Sequence, residues 1–163
     1  MEELNMSRTY PLSVDAFYEI ISTKDYIVGK YTAQKNIEID FIEFTRNAAD
    51  FNLTFRSRKD IYIPFFFKAL LRDHLTYKTV EKWERKEGEV HGAVWAEVPF
   101  IPCDMDIRFY IRPHQSQKGT EFLTTGKIDT KLPIMKKAAD KYITHELSKD
   151  INRMYGFIET QIF

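Results

Sequence analysis

Hydrophobic and polar residues alternate with a period of two along much of the chain, a pattern typical of strands that bury one face. The clearest run is residues 104–111, where Met105, Ile107, Phe109 and Ile111 alternate with charged or polar residues. Together with turn-like residues between the runs, this alternation predicts seven strands, six of them successive neighbours. The predicted strands cover residues 5–10, 37–41, 51–56, 75–83, 90–98, 104–111 and 122–131.

Two short helices are predicted between the first and second strands. Ser13 is a typical N-cap residue, and Asp15 lies in the first turn, where a carboxylate suits the helix dipole. Apolar residues at helical spacing then predict an amphipathic helix over residues 13–22. Residues 24–31 predict a second helix, although Gly29 has a low helix propensity.

A long amphipathic helix is predicted after the last strand. Pro133 suits the first turn of a helix, and apolar residues repeat with a 3.6-residue period as far as Ile162. About 26 residues at ~1.5 Å each give roughly 39 Å, which exceeds the ~33 Å of a ten-residue strand. The helix can therefore cross a whole sheet. Its expected solvent face carries Lys136, Lys137, Asp140, Lys141, Glu146, Lys149, Asp150 and Arg153.

Composition limits the class of protein. A chain of 163 residues that is 44% hydrophobic has enough apolar material for the core of a single domain spanning residues 1–163, which excludes a mainly disordered chain. The 24 basic and 24 acidic residues balance, which argues against general nucleic-acid binding. The single Cys103 excludes an internal disulfide framework and a cysteine-based metal cluster.

Targeting signals are not evident in the sequence. No apolar run approaches the roughly 20 residues of a membrane-spanning helix. The first ten residues lack a basic segment followed by an apolar one, so no secretory signal is expected. We therefore expect a cytoplasmic protein with a reduced thiol.

Motifs for catalysis or metal binding are incomplete. Cys103 has no histidine at a recognisable spacing, and His145-Glu146 lacks the second histidine of the zinc-protease helix because Lys149 stands there. Asp104 and Asp106 share the polar face of a predicted strand, where ion pairing across the sheet is the simplest interpretation. No cofactor, metal site or catalytic residue is therefore predicted.

One dense basic cluster, Arg56-Ser57-Arg58-Lys59, interrupts this even charge distribution. We interpret it as the solvated end of a loop. The alternative is a transient contact with phosphate groups or an anionic membrane surface.

The order of elements, with one strand, two short helices, a meander and a long helix, resembles the START-like superfamily, also called SRPBCC or helix-grip. The opening residues 8–18 look like the first strand and helix of that superfamily. Pro64 with its following aromatic residues, residues 79–83 (TVEKW) and residues 131–133 (KLP) look like one uncharacterised bacterial subfamily. The resemblance implies an α+β fold in which a curved seven-stranded antiparallel sheet wraps around the C-terminal helix.

This resemblance also implies an apolar cavity between the sheet and the helix. Aromatic residues make up 15% of the chain, and such residues line ligand sites as well as ordinary strands. The protein is therefore expected to bind or transport a hydrophobic small molecule or lipid, with Tyr77, Thr124 or Tyr142 orienting it. The alternative is that the same residues fill the core. The predicted lining residues are Leu75, Tyr77, Trp83, Trp95, Phe109, Phe122, Met135, Ala139, Tyr142 and Met154.

Three consecutive phenylalanines, Phe65, Phe66 and Phe67, fall in the region that often forms a lid in START-like proteins. Two further functions remain open for the whole chain. The first is a cyclase or dehydratase acting on a polyketide-like substrate, with Glu81, Glu97, His91 and Tyr77 as candidate acid–base groups. The second is a protein-interaction domain like the chaperone-activating members of the superfamily.

Overall fold

The computed structural model describes residues 1–32, 37–60, 62–65, 67–68, 75–99, 101–115 and 118–162. Their order along the chain matches the predicted sequence of strands and helices. The elements are β1 (Glu2–Tyr10), α1 (Val14–Ile21), α2 (Lys24–Thr32), β2 (Ile37–Arg46), β3 (Asp50–Lys59), β4 (Leu75–Lys86), β5 (Glu89–Glu97), β6 (Cys103–Pro113), β7 (Thr120–Thr130) and α3 (Lys136–Ile162).

The strands form one sheet in the order β1-β7-β6-β5-β4-β3-β2, and every neighbouring pair is antiparallel. The order follows from the short turns of the meander, with β1 added at the free edge of β7. Helix α3 covers one face, which we call the inner face. The prediction of an α+β helix-grip fold is confirmed.

Helix α1 begins as predicted, because the Ser13 hydroxyl accepts a hydrogen bond of 3.1 Å from the Ala16 amide. Helix α2 forms despite Gly29, and packing explains the glycine. A Cβ atom at Gly29 would lie 2.8 Å from Cζ of Phe157. Gly29 therefore lets α2 approach α3 closely.

Helix α3 begins three residues after the predicted start at Pro133. Met135 has a left-handed backbone angle, φ 62°, which breaks the helical path just before Lys136. The predicted solvent face is also wrong at Asp140, whose side chain is only 2% exposed. Asp140 accepts hydrogen bonds of 2.7 Å from both the amide and the hydroxyl of Thr130, and so ties α3 to β7.

The basic cluster at residues 56–59 is not a loop end but the last part of β3. Arg56 and Arg58 face solvent, whereas Ser57 and Lys59 are buried on the inner face. The alternation that starts at Phe51 simply continues to the end of the strand. The interpretation as a solvated loop end is therefore wrong.

Aromatic rings fill the region between the sheet and the second half of α3. Phe122 lies 5.7 Å from the ring of Phe17 and 5.3 Å from that of Tyr155, and Tyr10 lies 5.3 Å from Phe17. The Tyr155 and Thr124 hydroxyl oxygens are 2.6 Å apart, so this buried polar pair is satisfied. We call this region, with Tyr10, Phe17, Ile111, Phe122 and Tyr155, the filled half.

A row of stacked rings crosses the inner face beside the filled half. Trp83 stacks on Phe51 at 5.6 Å and on Phe109 at 5.0 Å, both within 8° of parallel. Gly92 lies between Trp83 and Phe109 in the sheet, and a Cβ there would be 2.6 Å from the indole ring. The missing side chain lets Trp83 reach across β5. We call this row the aromatic wall.

Candidate functional site

Two adjoining cavities lie between the sheet and α3. The inner cavity, of about 130 Å³, is bordered by Trp83 and Phe109 of the aromatic wall. The outer cavity, of about 90 Å³, is bordered by Phe67 and Ile101. We call the region around them the hollow half. Five residues line both cavities: Tyr77, Ala96, Met105, Leu147 and Asp150.

The outer cavity has mostly apolar walls and one ion pair, of which the lysine is buried. Lys59 is only 4% exposed, and its ammonium lies 2.7 Å from Oδ1 of Asp150 on α3. Arg153 approaches the same carboxylate oxygen at 3.0 Å from the solvent side. Asp150 was predicted to face solvent, and so was Glu146, but both line this cavity. The polar face of α3 is therefore narrower than the sequence pattern indicates.

The inner cavity carries a second ion pair, between Lys30 of α2 and Glu81 of β4. Their side chains are 7% and 4% exposed, and Nζ of Lys30 lies 3.6 Å from Oε1 of Glu81. Glu81 also accepts hydrogen bonds from the Tyr31 hydroxyl and, at 3.1 Å, from Nε1 of Trp83. The Lys30 ammonium in addition lies 4.5 Å from the centre of the Tyr31 ring. Three groups therefore hold the carboxylate in one position.

Tyr77 lies between the two cavities. Burial, with a contribution from Asp150, raises the pKa of its hydroxyl to about 12, although the neighbouring Ser57 hydroxyl lowers it. Burial also raises the pKa of Tyr142, on the outer cavity, to about 12. Both hydroxyls are therefore neutral near pH 7.

Six of the ten predicted lining residues border the cavities, and four lie elsewhere. Trp95 is on the other face of the sheet, where Lys82 lies 5.5 Å from its ring. Phe122 belongs to the filled half, Met135 is exposed ahead of α3, and Ala139 packs in a separate small core with Ile63. The six that line a cavity are Leu75, Tyr77, Trp83, Phe109, Tyr142 and Met154. Ligand contact at any of them stays a prediction.

The predicted lid is described in part. Phe67 is buried against Tyr142, with ring centres 5.6 Å apart, and lines the outer cavity. Phe65 is exposed, and Phe66 lies outside the described residues. The Tyr142 hydroxyl donates a hydrogen bond of 2.9 Å to the carbonyl of Tyr62. Phe67 therefore covers one end of the outer cavity, and the hydrogen bond at Tyr62 joins the neighbouring segment to α3.

The candidate acid–base groups are separated by the sheet. Glu81 and Tyr77 are on the inner face, whereas Glu97 and His91 are on the other face, His91 beside Glu89 at 3.5 Å. Cys103 lines the outer cavity, and burial raises the pKa of its thiol, which keeps it protonated. Within the described ranges, no cluster of three or more histidine, cysteine or acidic side chains is arranged to hold a metal ion.

From the sequence, Glu81 was named only as an acid–base candidate of the enzyme alternative. The other charged residues that line the cavities were missed as site residues: Lys30, Lys59, Glu146 and Asp150. Lys59 and Asp150 are 91 residues apart in the chain, so no local spacing reveals their pairing. A signal existed for Lys59, because it continues the inward-facing alternation of β3. For Lys30, on a helix with little amphipathic character, we find no sequence signal.

The sequence model of one family matches residues 5–162, and its description is "protein of unknown function (DUF2505)". The chain belongs to this family. No curated protein matches the chain. Family membership therefore groups the chain with related sequences but does not identify its function.

Solved structures show the fold of this DUF2505 protein. TTHA0849 from Thermus thermophilus has a TM-score of 0.60 at 13% identity, over 99% of this chain and 97% of that one. A START superfamily protein from Mycobacterium smegmatis has a TM-score of 0.55 at 10% identity, over 98% and 96%. Ginseng major latex-like protein 151 from Panax ginseng has a TM-score of 0.50 at 13% identity, over 99% and 97%. The fold is START-like, as the resemblance implied.

One further structural observation concerns membranes. Across the part of the chain that the structure describes, no helix is long and apolar enough to cross a bilayer.

Proposed function

We propose that the protein binds an uncharged, mainly apolar small molecule in the two adjoining cavities. The observation that carries this proposal is the buried Lys30–Glu81 pair on the wall of a cavity that is otherwise lined by apolar and aromatic groups. A buried ion pair is weak evidence for stability, since apolar residues of similar volume often serve equally well. A role in recognition explains why this pair lies beside open space.

Charge balance defines the class of ligand. The pairs Lys30–Glu81 and Lys59–Asp150 each bring one positive and one negative group to the cavities. Glu146, the remaining acidic residue of the lining, is paired with Lys149 at 3.0 Å. A charged ligand would add an uncompensated charge in a poorly solvated site, which is costly. A hydroxyl or carbonyl group can instead accept a hydrogen bond from Lys30 without changing the net charge. The ligand is therefore neutral, with an apolar body and one polar end.

The size of the cavities limits the apolar body. An engineered cavity of about 150 Å³ in another protein holds one benzene molecule. The inner cavity, at about 130 Å³, is close to that size, and the outer cavity adds about 90 Å³ beside it. One or two fused rings or a short acyl chain fit this space. A larger lipid requires Phe67 and residues 62–65 to move, and in that case they act as a lid.

Binding rather than catalysis follows from the surroundings of Glu81. Its partners are two hydrogen-bond donors and a cation, an arrangement suited to a fixed acceptor in a recognition site. The enzyme alternative needs an acid–base group that exchanges its proton with a substrate. Among the acid–base candidates named from the sequence for this enzyme alternative, Glu81 is the one buried carboxyl group.

The test is a fluorescence titration with N-phenyl-1-naphthylamine, an uncharged apolar probe with one N–H group. We expect saturable binding at one probe per chain. Ala96 lines both cavities, so Ala96→Phe should weaken binding by at least about tenfold, which is ~1.4 kcal/mol. Ala93→Phe is the matched control, because Ala93 is on the same strand and faces the other way. Equal affinity in both variants, or no saturable binding to the unmodified protein, would overturn the proposal.

A further inference from the structure

The sheet is split between its two middle strands. The β5–β6 ladder runs from Val90–Ile111 and stops at Val94–Ile107. Beyond that point each strand keeps only its outer neighbour among the described residues. Residues 95–97 pair with β4, and residues 103–106 pair with β7. The two strands therefore diverge at one end, on the side of the hollow half.

The split lies between the cavities and the opposite face of the sheet. Ala96 and Met105 line both cavities and also line a hollow of about 860 Å³ on that opposite face. Trp95 and Asp106, which point away from α3, line the same hollow. Residues that face α3 and residues that face away from it thus line the same hollow.

The chemistry of the split suits an uncharged ligand. In an antiparallel sheet, alternate residues direct their N–H and C=O groups towards each neighbouring strand. Along the split, those groups have no strand partner in the described part of β5 and β6, so they are available to water or to a polar group of a ligand. Ala96 is the smallest side chain at the opening, and it leaves room for passage.

At the other end, contacts among the described residues cover the outer cavity. Phe67 is fully buried over the outer cavity, and the Tyr142–Tyr62 hydrogen bond of 2.9 Å joins α3 to the segment beside it. Entry at that end requires these contacts to break. Entry through the split requires no strand pair to open.

We infer that the split between β5 and β6 is the passage through which the ligand enters and leaves. This inference rests on the proposed function, because a passage needs a ligand. The passage determines the rates of ligand association and dissociation, whereas the contacts in the cavities determine the binding affinity. Closing it slows association and dissociation by the same factor and leaves the equilibrium constant unchanged.

The test closes the split with a disulfide. The variant combines Trp95→Cys and Asp106→Cys in a Cys103→Ala background. Its two thiols lie opposite each other directly after Val94–Ile107, the last pair of the ladder. They are on the same face of the sheet as Ala93 and Arg108. The matched control is Ala93→Cys with Arg108→Cys, which joins strands that are already paired. Thiol titration reports whether each bond has formed. Where the direct bond does not close, a short bifunctional thiosulfonate reagent bridges the same two cysteines.

Stopped-flow binding of N-phenyl-1-naphthylamine is then compared in the oxidised and reduced forms of each variant. We expect both rates to fall by at least about tenfold when the split is bridged, to recover on reduction, and to stay constant in the control. Unchanged rates in the bridged protein would overturn the passage. Failure of the probe to bind even the reduced protein would instead overturn the proposed function, so the two failures are distinguishable.

Discussion

The two halves of the space between the sheet and α3 are built differently. In the filled half, rings from three directions meet around Phe122, and the buried hydroxyls of Tyr155 and Thr124 satisfy each other. In the hollow half, beyond the aromatic wall, two cavities remain, and ion pairs link the elements. The same helix and sheet contribute to both halves. Side-chain volume, rather than backbone topology, decides where space is left.

This difference indicates that the filled half mainly stabilises the fold and that the hollow half mainly recognises the ligand. Close-packed aromatic burial stabilises the folded state without leaving room for a ligand. Cavities and buried charges stabilise it less, because void walls lack contacts and buried charges lose hydration. The hollow half is therefore the place where substitution should change binding with a smaller effect on folding.

The largest expected effect compares one truncation in each half. Phe122→Ala should lower the free energy of unfolding by about 4 kcal/mol, because it opens a cavity among fixed rings. Leu147→Ala should cost only about 2 kcal/mol, since Leu147 already borders both cavities. Urea unfolding followed by circular dichroism measures both. Equal losses would contradict the distinction between the two halves.

The next effect concerns the buried pair in the inner cavity. Lys30→Met or Glu81→Gln alone should cost about 3 kcal/mol, because each leaves a buried partner uncompensated. The double variant should cost clearly less than the sum, since it removes both charges together. A double-mutant cycle in urea gives the coupling. Additive losses would show that the two side chains do not act as a pair.

An acid-dependent effect should be confined to the start of α3, where Asp140 ties the helix to β7. Burial alone would raise the pKa of Asp140, but hydrogen bonds from Lys136 and Thr130 outweigh it and hold that pKa well below its usual value. The folded-state pKa is thus depressed, so the stabilisation is complete above the unfolded value of about 4 and is lost as pH falls further. Near pH 3, amide exchange should rise first in the part of α3 next to Asp140.

Asp140→Asn provides the control for this effect. It removes the charge that pairs with Lys136 and should cost about 2 kcal/mol at pH 7. Its stability should then change less between pH 5 and pH 3 than that of the unmodified protein. Identical acid profiles would show that Asp140 does not carry the effect.

The smallest effect compares added volume in the aromatic wall and in the hollow half. Gly92→Ala adds one methyl group against the Trp83 ring, which Phe51 and Phe109 hold from both sides, and should cost about 1–2 kcal/mol. Ala96→Phe adds a whole ring to open space and should change stability by less than about 1 kcal/mol. Thermal unfolding of the two variants measures both changes in stability. A larger loss for Ala96→Phe would contradict the presence of usable space.

The fold was predictable from the sequence because its signals are local. The Ser13 cap, the alternation of β6 and the helical stripe of α3 each lie within one element, and their order limits the topology to a few choices. The start of α3 was less predictable. Only the backbone angle of Met135 separates the helix from the apolar residues before it.

The site was predictable only in part, because its geometry depends on register and on distant pairs. Residues 92–96 are apolar on both faces of β5, so alternation does not decide which face Trp95 takes. The inner face instead receives Gly92 and Ala96, whose small size accommodates Trp83 and the cavities. The pairing of Lys30 with Glu81 and of Lys59 with Asp150 arises only when α2, α3 and the sheet come together.

The most direct test of the account uses four of the five methionines as reporters in an NMR titration with 1-naphthol, an uncharged fused-ring molecule with one hydroxyl. Met105 and Met154 line the inner cavity, Met6 packs against the core, and Met135 is exposed. With ¹³C-labelled methyl groups, we predict saturable shifts at Met105 and Met154, at one molecule per chain, and none at Met6 or Met135. Shifts spread over all four methyl groups, or none at Met105 and Met154, would contradict a ligand site in the hollow half.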